Sequence, residues 1–333
     1  MLTLGQRRRI NFASEPPTMR LTEDASRSVV VIGHEVERDG ATFFEAAATA
    51  FLLRFDRLIY LVTAAHVAHG LGDDPYFLRC NLKDGGAQLV HMDPLTAPER
   101  RWFCHPDPTV DIAVSIFPYA LQENGWDHLC MGKSLHLDET DVVEKDIGPG
   151  VTCYAVGLFH LHQGQMKSVP VVHTGSIAAM PSEERLPIGD WRDPKGEKTV
   201  RAKAYLVEMT NLPGLSGSPV YIRPTIQIAA PRFHIEGEGD QAKPVTGRTA
   251  AISAPSADVA LLGVWSGSWE ARPGEIIART VGKDARVPVG LGVVAPTSLL
   301  LELLRSKDVS ARRADFISKM TNAAPETKPD PTA

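Results

Sequence analysis

Short apolar runs separated by turn-forming residues recur along most of the chain, and this pattern is typical of β-strands. In the first half it predicts strands at residues 28–33, 48–53, 57–63, 76–82, 88–91 and 110–117. In the second half it predicts strands at residues 150–157, 169–178, 202–209, 219–222, 259–266 and 289–294. Short strands at this spacing favour antiparallel barrels over β-α-β units.

Helical patterns are few. Residues 67–70 predict a single helical turn closed by glycine. Thr297 and Ser298 are typical helix caps, and the leucine-rich stretch that follows predicts a helix to about Arg305. The chain also contains 25 prolines and 27 glycines, which indicate many turns and favour a β-rich fold.

The order of these patterns predicts the domain organisation. A length of 333 residues is typical of about two domains. We expect a polar N-terminal extension at residues 1–27, a first β-barrel at 28–120 and a polar connection at 121–148. A second β-barrel with the C-terminal helix is expected at 149–307, and a disordered tail at 308–333.

One connection is unusually long. Thirty-six residues, 223–258, separate the strands at 219–222 and 259–266. Connections beyond about 15 residues are usually functional or disordered. The sequence leaves two interpretations open: a solvated surface insertion, or a lid or partner-binding loop.

Composition and charge exclude several classes of function. A net charge of −5 favours neither nucleic acid nor an anionic membrane as a partner. No apolar run reaches the roughly 20 residues that span a bilayer. The arginines at 7–9 have no apolar stretch behind them, so a secretory signal is not predicted. We therefore expect a cytoplasmic protein.

The sequence predicts neither a metal nor a cofactor. The four cysteines are scattered and form no Cys-x-x-Cys pair, so they are expected to be buried free thiols in a reducing compartment. His66 and His69 are spaced to share a metal, but no third ligand is evident. No glycine-rich phosphate loop is present.

The hexapeptide 214–219, Gly-Leu-Ser-Gly-Ser-Pro, is the first candidate for chemistry. Its glycines allow a tight turn that presents the Ser216 hydroxyl clear of the backbone. The main-chain N–H groups of Gly214 and Ser216 could then stabilise an oxyanion. The same residue types also mark ordinary turns.

Two upstream segments strengthen that interpretation. Residues 61–67, Leu-Val-Thr-Ala-Ala-His-Val, end an apolar run at His66, and residues 110–114 place Asp111 at the start of another. A histidine, a carboxylate and a serine at strand edges could meet as base, orienting group and nucleophile. Asp107 and Ser218 compete with Asp111 and Ser216 for these roles, but neither fits the pattern as well.

With its Thr-Ala-Ala-His and Gly-x-Ser-Gly-Ser-Pro motifs, the sequence resembles the chymotrypsin/trypsin-like serine peptidases, especially bacterial members, over residues 28–305. The resemblance implies an all-β fold of two antiparallel six-stranded β-barrels with a C-terminal helix. It also implies a catalytic triad of His66, Asp111 and Ser216. An α/β-hydrolase would need a different residue order and a glycine at position 218.

Leu215 departs from the secreted digestive relatives, which have an aspartate there that pairs with a new N-terminus after zymogen cleavage. Leucine cannot form this ion pair, so we expect the full-length chain to need no N-terminal processing. Bacterial relatives often lack the aspartate, and the catalytic prediction therefore stands.

The resemblance also suggests substrate-binding residues. Trp265, Ser266 and Gly267 correspond to the strand that pairs with the substrate backbone, while Thr210 would lie near the base of the specificity pocket and Gly292 near its back wall. With no aspartate at the base, a preference for Arg or Lys is not expected. Trp265 either narrows the pocket in favour of small or medium apolar side chains, or faces the core.

Two functions are carried forward from the sequence. The first is a serine endopeptidase that cleaves protein or peptide substrates through an acyl-enzyme intermediate, with control by a partner or lid as a further hypothesis. The alternative is a catalytically silent member of the same fold that binds peptides. An intact set of triad residues favours the first.

Overall fold

The computed structural model describes most of the chain from Leu21 to Ala323. The described residues are 21, 23–121, 123–132, 136–160, 164, 166–187, 201–210, 213–223, 225–236, 243–255, 259–271 and 287–323. Side chains are not described at 23, 187, 225–236, 243–255, 269–271 and 287–289.

Strands dominate the described residues. Those of the first half are β1 (Val29–Arg38), β2 (Ala41–Phe55), β3 (Leu58–Thr63), β4 (Tyr76–Asn81), β5 (Ala87–Met92), β6 (Phe103–Cys104) and β7 (Ala113–Phe117). Those of the second half are β8 (Thr152–Gly157), β9 (Val171–Ala179), β10 (Leu186–Pro187), β11 (Arg201–Ala202), β12 (Tyr205–Glu208), β13 (Pro219–Ile222), β14 (Thr225–Glu236), β15 (Lys243–Pro255), β16 (Ala260–Ala271) and β17 (Val287–Pro296).

The helices are short except at the C-terminus. They are α1 (Glu23–Arg27), α2 (Ala65–Leu71), α3 (Glu139–Glu144), α4 (Thr297–Arg305) and α5 (Lys307–Ala323), with one 3₁₀ turn at Pro98–Arg100. None of the helices in the described ranges combines the length and the apolar character needed to cross a bilayer.

The first half is one antiparallel sheet in the order β5-β4-β1-β2-β3-β7-β6. It has seven strands where the resemblance implied a six-stranded barrel, and among the described residues its outer strands, β5 and β6, do not pair with each other. The additional strand, β6, is only two residues long, which is too short to leave a pattern in the sequence.

The second half contains a closed barrel of six strands in the order β12-β17-β16-β13-β8-β9. Every pairing in it is antiparallel. The predicted all-β class, six-stranded second barrel and C-terminal helix are therefore confirmed.

The long connection at 223–258 contains a β-hairpin. Strands β14 and β15 pair in antiparallel register, from Thr225 opposite Pro255 to Glu236 opposite Lys243. They form a two-stranded ribbon separate from the barrel sheet. Both interpretations, a solvated surface insertion and a lid or partner-binding loop, remain predictions.

The predicted C-terminal helix is present, but the predicted cap is wrong: Thr297 and Ser298 lie inside the helix, its N-cap residue is Pro296, and no side chain caps it. The Thr297 hydroxyl instead donates a hydrogen bond to the carbonyl oxygen of Leu261, 2.6 Å away. Four leucines of α4 are buried in the core: Leu300, Leu301, Leu303 and Leu304.

The predicted disordered tail is wrong for its first part, because residues 308–323 belong to helix α5. Val309 is buried, and Phe316 and Ile317 pack against the same core as α4. Apolar docking of these side chains explains why the polar segment is helical. Residues 324–333 of the predicted tail lie outside the described residues.

The two halves share one hydrophobic core. A single cluster contains Phe51 and Val62 of the first sheet together with Val156 and Val264 of the barrel. Helix α1, inside the predicted polar extension, contributes the buried Ala25. This shared core fixes the ends of β3, β7 and β13 relative to one another, and these ends carry the candidate site.

Candidate active site

His66 lies in the first turn of helix α2, directly after strand β3. The strand ends at Thr63, and Ala64 has extended backbone angles before the helix begins at Ala65. Ala65 and Ala68 bury the inner face of this short helix. The small residues around the histidine therefore let the helix pack closely on the sheet, so that the ring is held at its edge.

Asp111 and His66 are joined by two hydrogen bonds. Oδ1 of Asp111 accepts from the main-chain N–H of His66, and Oδ2 lies 2.8 Å from the ring Nδ1. The Asp111 side chain is 2% exposed, whereas that of His66 is 36% exposed. When Nδ1 donates to the carboxylate, Nε2 on the other edge of the ring is an acceptor. This is the tautomer that a general base requires.

Ser216 lies in a turn that only glycine-rich sequence can form. Gly214 and Gly217 have φ values of 102° and 83°, which side chains with a Cβ rarely adopt. The N–H of Gly217 donates to the carbonyl of Trp265, and the N–H of Trp265 donates to the carbonyl of Ser218. Strand β16 thereby holds the turn from one side.

The serine turn is packed against the segment that leads to His66. A Cβ on Gly217 would collide with Oγ1 of Thr63 and the carbonyl of Thr49, and would lie 3.1 Å from the main-chain nitrogen of Ala64. The glycine that follows Ser216 is thus in direct contact with the two residues that precede α2. Three segments far apart in sequence meet at one place.

Two main-chain N–H groups of the turn are available to a ligand. Within the described part of the chain, the N–H groups of Gly214 and Ser216 have no acceptor, although the carbonyls beside them are hydrogen-bonded. The carbonyl of Pro213 accepts from His160 and that of Leu215 accepts from Ser218. Unpaired N–H groups beside a serine hydroxyl are the donors that an oxyanion hole needs.

The two competing residues lie in different environments. Ser218 is fully buried, while Ser216 is partly exposed. Asp107 accepts two hydrogen bonds from Thr109 and pairs with Arg185 at 3.2 Å. The carboxylate in contact with His66 is that of Asp111.

The residues proposed to bind substrate are divided between surface and core. Thr210 is exposed after the end of β12, and Gly267 is partly exposed on β16. Ser266 and Gly292 are buried. Trp265 is fully buried in the barrel core, and a Cβ on Gly292 would collide with its indole ring. Of the two orientations left open for Trp265, the structure has the one that faces the core.

Sequence reasoning missed Thr49. This residue of β2 is completely buried and hydrogen-bonds to the serine turn through both its main chain and its hydroxyl. The one signal for it in the sequence is a polar residue inside the apolar run 48–53.

The four cysteines are free thiols, with Cys80 and Cys153 buried and Cys104 and Cys130 partly buried. Burial, together with the negative charge of Asp111, raises the pKa of Cys104 to about 11. This thiol close to the His66–Asp111 pair is therefore protonated and not nucleophilic at neutral pH. Over the described residues, no three His, Cys, Asp or Glu side chains converge as a metal site would require.

Comparison with known proteins finds similarity to solved structures but not to family models or curated sequences. No family model and no curated protein matches the sequence. Among solved structures, the chain is similar to the HtrA-type protease AlgW with a decapeptide, with a TM-score of 0.44 and 16% identity over 85% of this chain. It is also similar to the Rv3671c protease in its inactive form, with a TM-score of 0.41 and 15% identity over 84% of this chain and 88% of that one. The match spans 65% of the length of AlgW. Both of these solved structures are of proteases.

Proposed function

We propose that this chain is a serine endopeptidase. The observation that carries the proposal is the pair of hydrogen bonds between the buried carboxylate of Asp111 and His66, at the point where the turn of Ser216 packs against Thr63 and Ala64. A carboxylate, an imidazole and a partly exposed serine in this order are the groups that acyl transfer requires.

In the proposed reaction, the Ser216 hydroxyl attacks the scissile carbonyl carbon as Nε2 of His66 takes its proton. The negative charge that develops on the carbonyl oxygen is stabilised by the N–H groups of Gly214 and Ser216. His66 then gives the proton to the leaving amine, and an acyl-enzyme remains. Water, activated by the same ring, releases the acid and restores the serine. Asp111 keeps the ring oriented and stabilises its positive charge.

The proposed substrate is a protein or peptide in extended conformation, bound along Ser266 and Gly267 of β16. Thr210 and Gly292 are proposed to line the specificity pocket. The Trp265 indole is buried in the barrel core against Gly292 and does not line the pocket. No cofactor is needed for this chemistry.

Labelling with a fluorophosphonate probe tests the proposal, because the probe phosphonylates only an activated serine. We expect the full-length chain to be labelled on Ser216 and the Ser216→Ala variant to be unlabelled. Ser218→Ala is the matched control: the Ser218 hydroxyl is buried and has no partner among the described residues, so this variant should be labelled like the parent.

Labelling that persists in Ser216→Ala, or that maps to another residue, would contradict the assignment. A folded parent chain that is not labelled but retains peptides in a binding assay would instead support the silent peptide-binding alternative. Hydrolysis of a protein substrate by the parent and not by Ser216→Ala completes the test.

A further inference from the structure

Thr49 takes part in four hydrogen bonds with other segments of the chain. Its main-chain N–H donates to the carbonyl of Ser216 over 3.1 Å, and its hydroxyl donates to the carbonyl of Gly214 over 2.7 Å. The same hydroxyl accepts from the N–H of Leu158 at 2.8 Å. The carbonyl of Thr49 accepts from the Thr63 hydroxyl, also at 2.8 Å. The residue is completely buried.

The direction of the hydroxyl proton is fixed by these partners. A threonine hydroxyl has one proton to donate, and the Leu158 N–H is itself a donor, so the proton points to the Gly214 carbonyl. The Thr49 side chain is completely buried, so removing its hydroxyl leaves the Leu158 N–H without its acceptor and the Gly214 carbonyl without this donor. The contact is therefore specific to a hydroxyl group at this position.

The hydroxyl completes a set of anchors along the serine turn. Four consecutive carbonyls are each bound, and their donors are the N–H of His160 to Pro213, the hydroxyl of Thr49 to Gly214, the N–H of Ser218 to Leu215 and the N–H of Thr49 to Ser216. Of these four donors, only the Thr49 hydroxyl belongs to a side chain. It binds the carbonyl of the one glycine whose N–H is a proposed oxyanion donor.

Glycine offers little resistance of its own to rotation at this point. Gly214 has a φ of 102° and no Cβ to restrict it. The Gly214 carbonyl belongs to the peptide group between Gly214 and Leu215, which links the two peptide groups that carry the N–H of Gly214 and the N–H of Ser216. If this carbonyl were released, the linking peptide group could rotate, and the two N–H groups would no longer point to one place. An anchor on the Gly214 carbonyl thus holds the peptide group that links the two donor peptide groups, and so fixes their N–H groups relative to each other.

We propose that the Thr49 hydroxyl is a positioning group for the oxyanion hole: it holds the peptide group between Gly214 and Leu215, and thereby the N–H groups of Gly214 and Ser216 on either side of it. The inference rests on the proposed peptidase function and adds a residue that touches neither substrate nor reacting atoms. The main-chain carbonyl of Thr49 also accepts from Thr63, three residues before His66, so this one residue connects the serine turn to the segment that carries His66.

The test compares variants that keep or remove this hydroxyl. Thr49→Val and Thr49→Ala both remove it while keeping the main-chain bond to Ser216, and Thr49→Ser retains it. Thr297→Val is the matched control. Thr297 is also buried, and its hydroxyl also donates to a main-chain carbonyl, that of Leu261, but this residue lies at the start of α4, outside the candidate site. Each variant is measured for kcat and KM on a peptide substrate, with the folded fraction determined alongside.

We expect the hydroxyl-free variants at Thr49 to lose about 10²- to 10³-fold in kcat, the effect of removing one oxyanion donor. KM should change by less than about threefold, because the hydrogen bonds from the oxyanion hole to the substrate act mainly in the transition state. Thr49→Ser and Thr297→Val should keep kcat within about threefold of the parent. If Thr49→Val does not fold, Thr49→Ala gives the same comparison with Thr49→Ser.

Unchanged kcat in a folded hydroxyl-free variant would overturn the proposal, as would an equal loss in Thr297→Val or failure of Thr49→Ser to restore activity. A crystal structure of the hydroxyl-free variant is the readout that does not depend on activity. We expect the Gly214 peptide to be rotated or disordered there, and an unmoved Gly214 would overturn the positioning role. If the parent itself neither cleaves nor reacts with a fluorophosphonate, the peptidase proposal fails separately, and the crystal structure still decides whether Thr49 anchors the turn.

Discussion

Asp111 binds His66 through both the ring and the main chain, with each carboxylate oxygen 2.8 Å from its own nitrogen. In Asp111→Asn, the side-chain amide can still accept from the main-chain N–H, but its NH₂ group would face Nδ1. The ring would then carry its proton on Nε2 and could not accept one from Ser216. We expect kcat to fall by about 10³- to 10⁴-fold with little change in thermal stability.

Asp107→Asn is the control for that measurement, because Asp107 is four residues away and pairs with Arg185 instead of His66. Its kcat should stay close to that of the parent. Similar losses of kcat in the two variants would show that the effect comes from a disturbance of the segment 107–111 and not from loss of the carboxylate that contacts the His66 ring.

Gly217 has no room for a side chain. Gly217→Ala should lower the free energy of unfolding by about 1–3 kcal/mol and abolish fluorophosphonate labelling, because the turn must move away from Thr63 and Thr49. Gly70→Ala is the control: a Cβ there meets no atom within 4 Å, and alanine in helix α2 should stabilise the protein by up to about 1 kcal/mol. Urea unfolding measures the free energy of unfolding of both variants. A Gly217→Ala protein that is as stable as the parent and is still labelled would contradict the close contact of Gly217 with Thr63 and Thr49.

The Trp265 indole belongs to the barrel core, so its replacement should affect stability and not substrate preference. Trp265→Ala should cost about 3–5 kcal/mol, and Trp265→Phe less. The melting temperature and the cleavage profile on a peptide library are measured for Trp265→Phe. A changed side-chain preference at an unchanged melting temperature would instead favour a ring that lines the pocket.

The buried His128 should make stability depend on pH. Its Nε2 accepts from the Asn81 N–H and its Nδ1 donates to the carbonyl of Arg27, which fits only the neutral ring. Burial lowers the pKa of His128 below its ordinary value of 6.5. The unfolded chain therefore binds a proton more readily, and stability is lost as the pH falls below about 6.5.

Denaturant unfolding at several values between about pH 7 and pH 5 measures that slope. We expect His128→Gln to be less stable at neutral pH, because it loses the ring's hydrogen bonds to the Asn81 N–H and the Arg27 carbonyl. On acidification, however, it should lose less additional stability than the parent. Parallel curves for the two proteins would exclude His128 as a source of the pH dependence.

Helix α5 is held to the first sheet by Arg313. Its guanidinium donates to the Tyr60 hydroxyl, pairs with Asp56 at 3.2 Å and lies over the ring of Phe55. Arg313→Ala should lower the free energy of unfolding by about 1–3 kcal/mol. Arg312→Ala, at the next position, should change it by less than about 0.5 kcal/mol. Equal effects would indicate that general charge, not this docking contact, matters.

The hydrophobic pattern predicts the buried parts of strands better than their ends. Strand β2 was predicted at 48–53 but extends over Ala41–Phe55, because its first residues pair with β1 while most of their side chains remain exposed. Burial produces the pattern, whereas main-chain pairing with a neighbour does not. The contact between His66 and Asp111 was anticipated from motifs, since both residues stand where an apolar run begins or ends.

Two features could not be found in the sequence, for different physical reasons. Helix α5 has few apolar residues, and its helical state depends on docking to a core formed by other segments. The hydrogen bonds of the Thr49 hydroxyl join residues 109 and 165 positions apart. No local pattern encodes such contacts, and a threonine in a strand is common for other reasons.

The ribbon of β14 and β15 leaves the barrel at Ile222 and returns at Ala260, two residues that are paired neighbours in β13 and β16. Its two attachment points are thus already brought together by the barrel, at the end of that strand pair away from Ser216. A segment attached in this way can be shortened to a tight turn, lengthened or exchanged for a foreign module at little entropic cost. The barrel therefore offers a place where accessory segments could be exchanged without changing the candidate site at the other end of this strand pair.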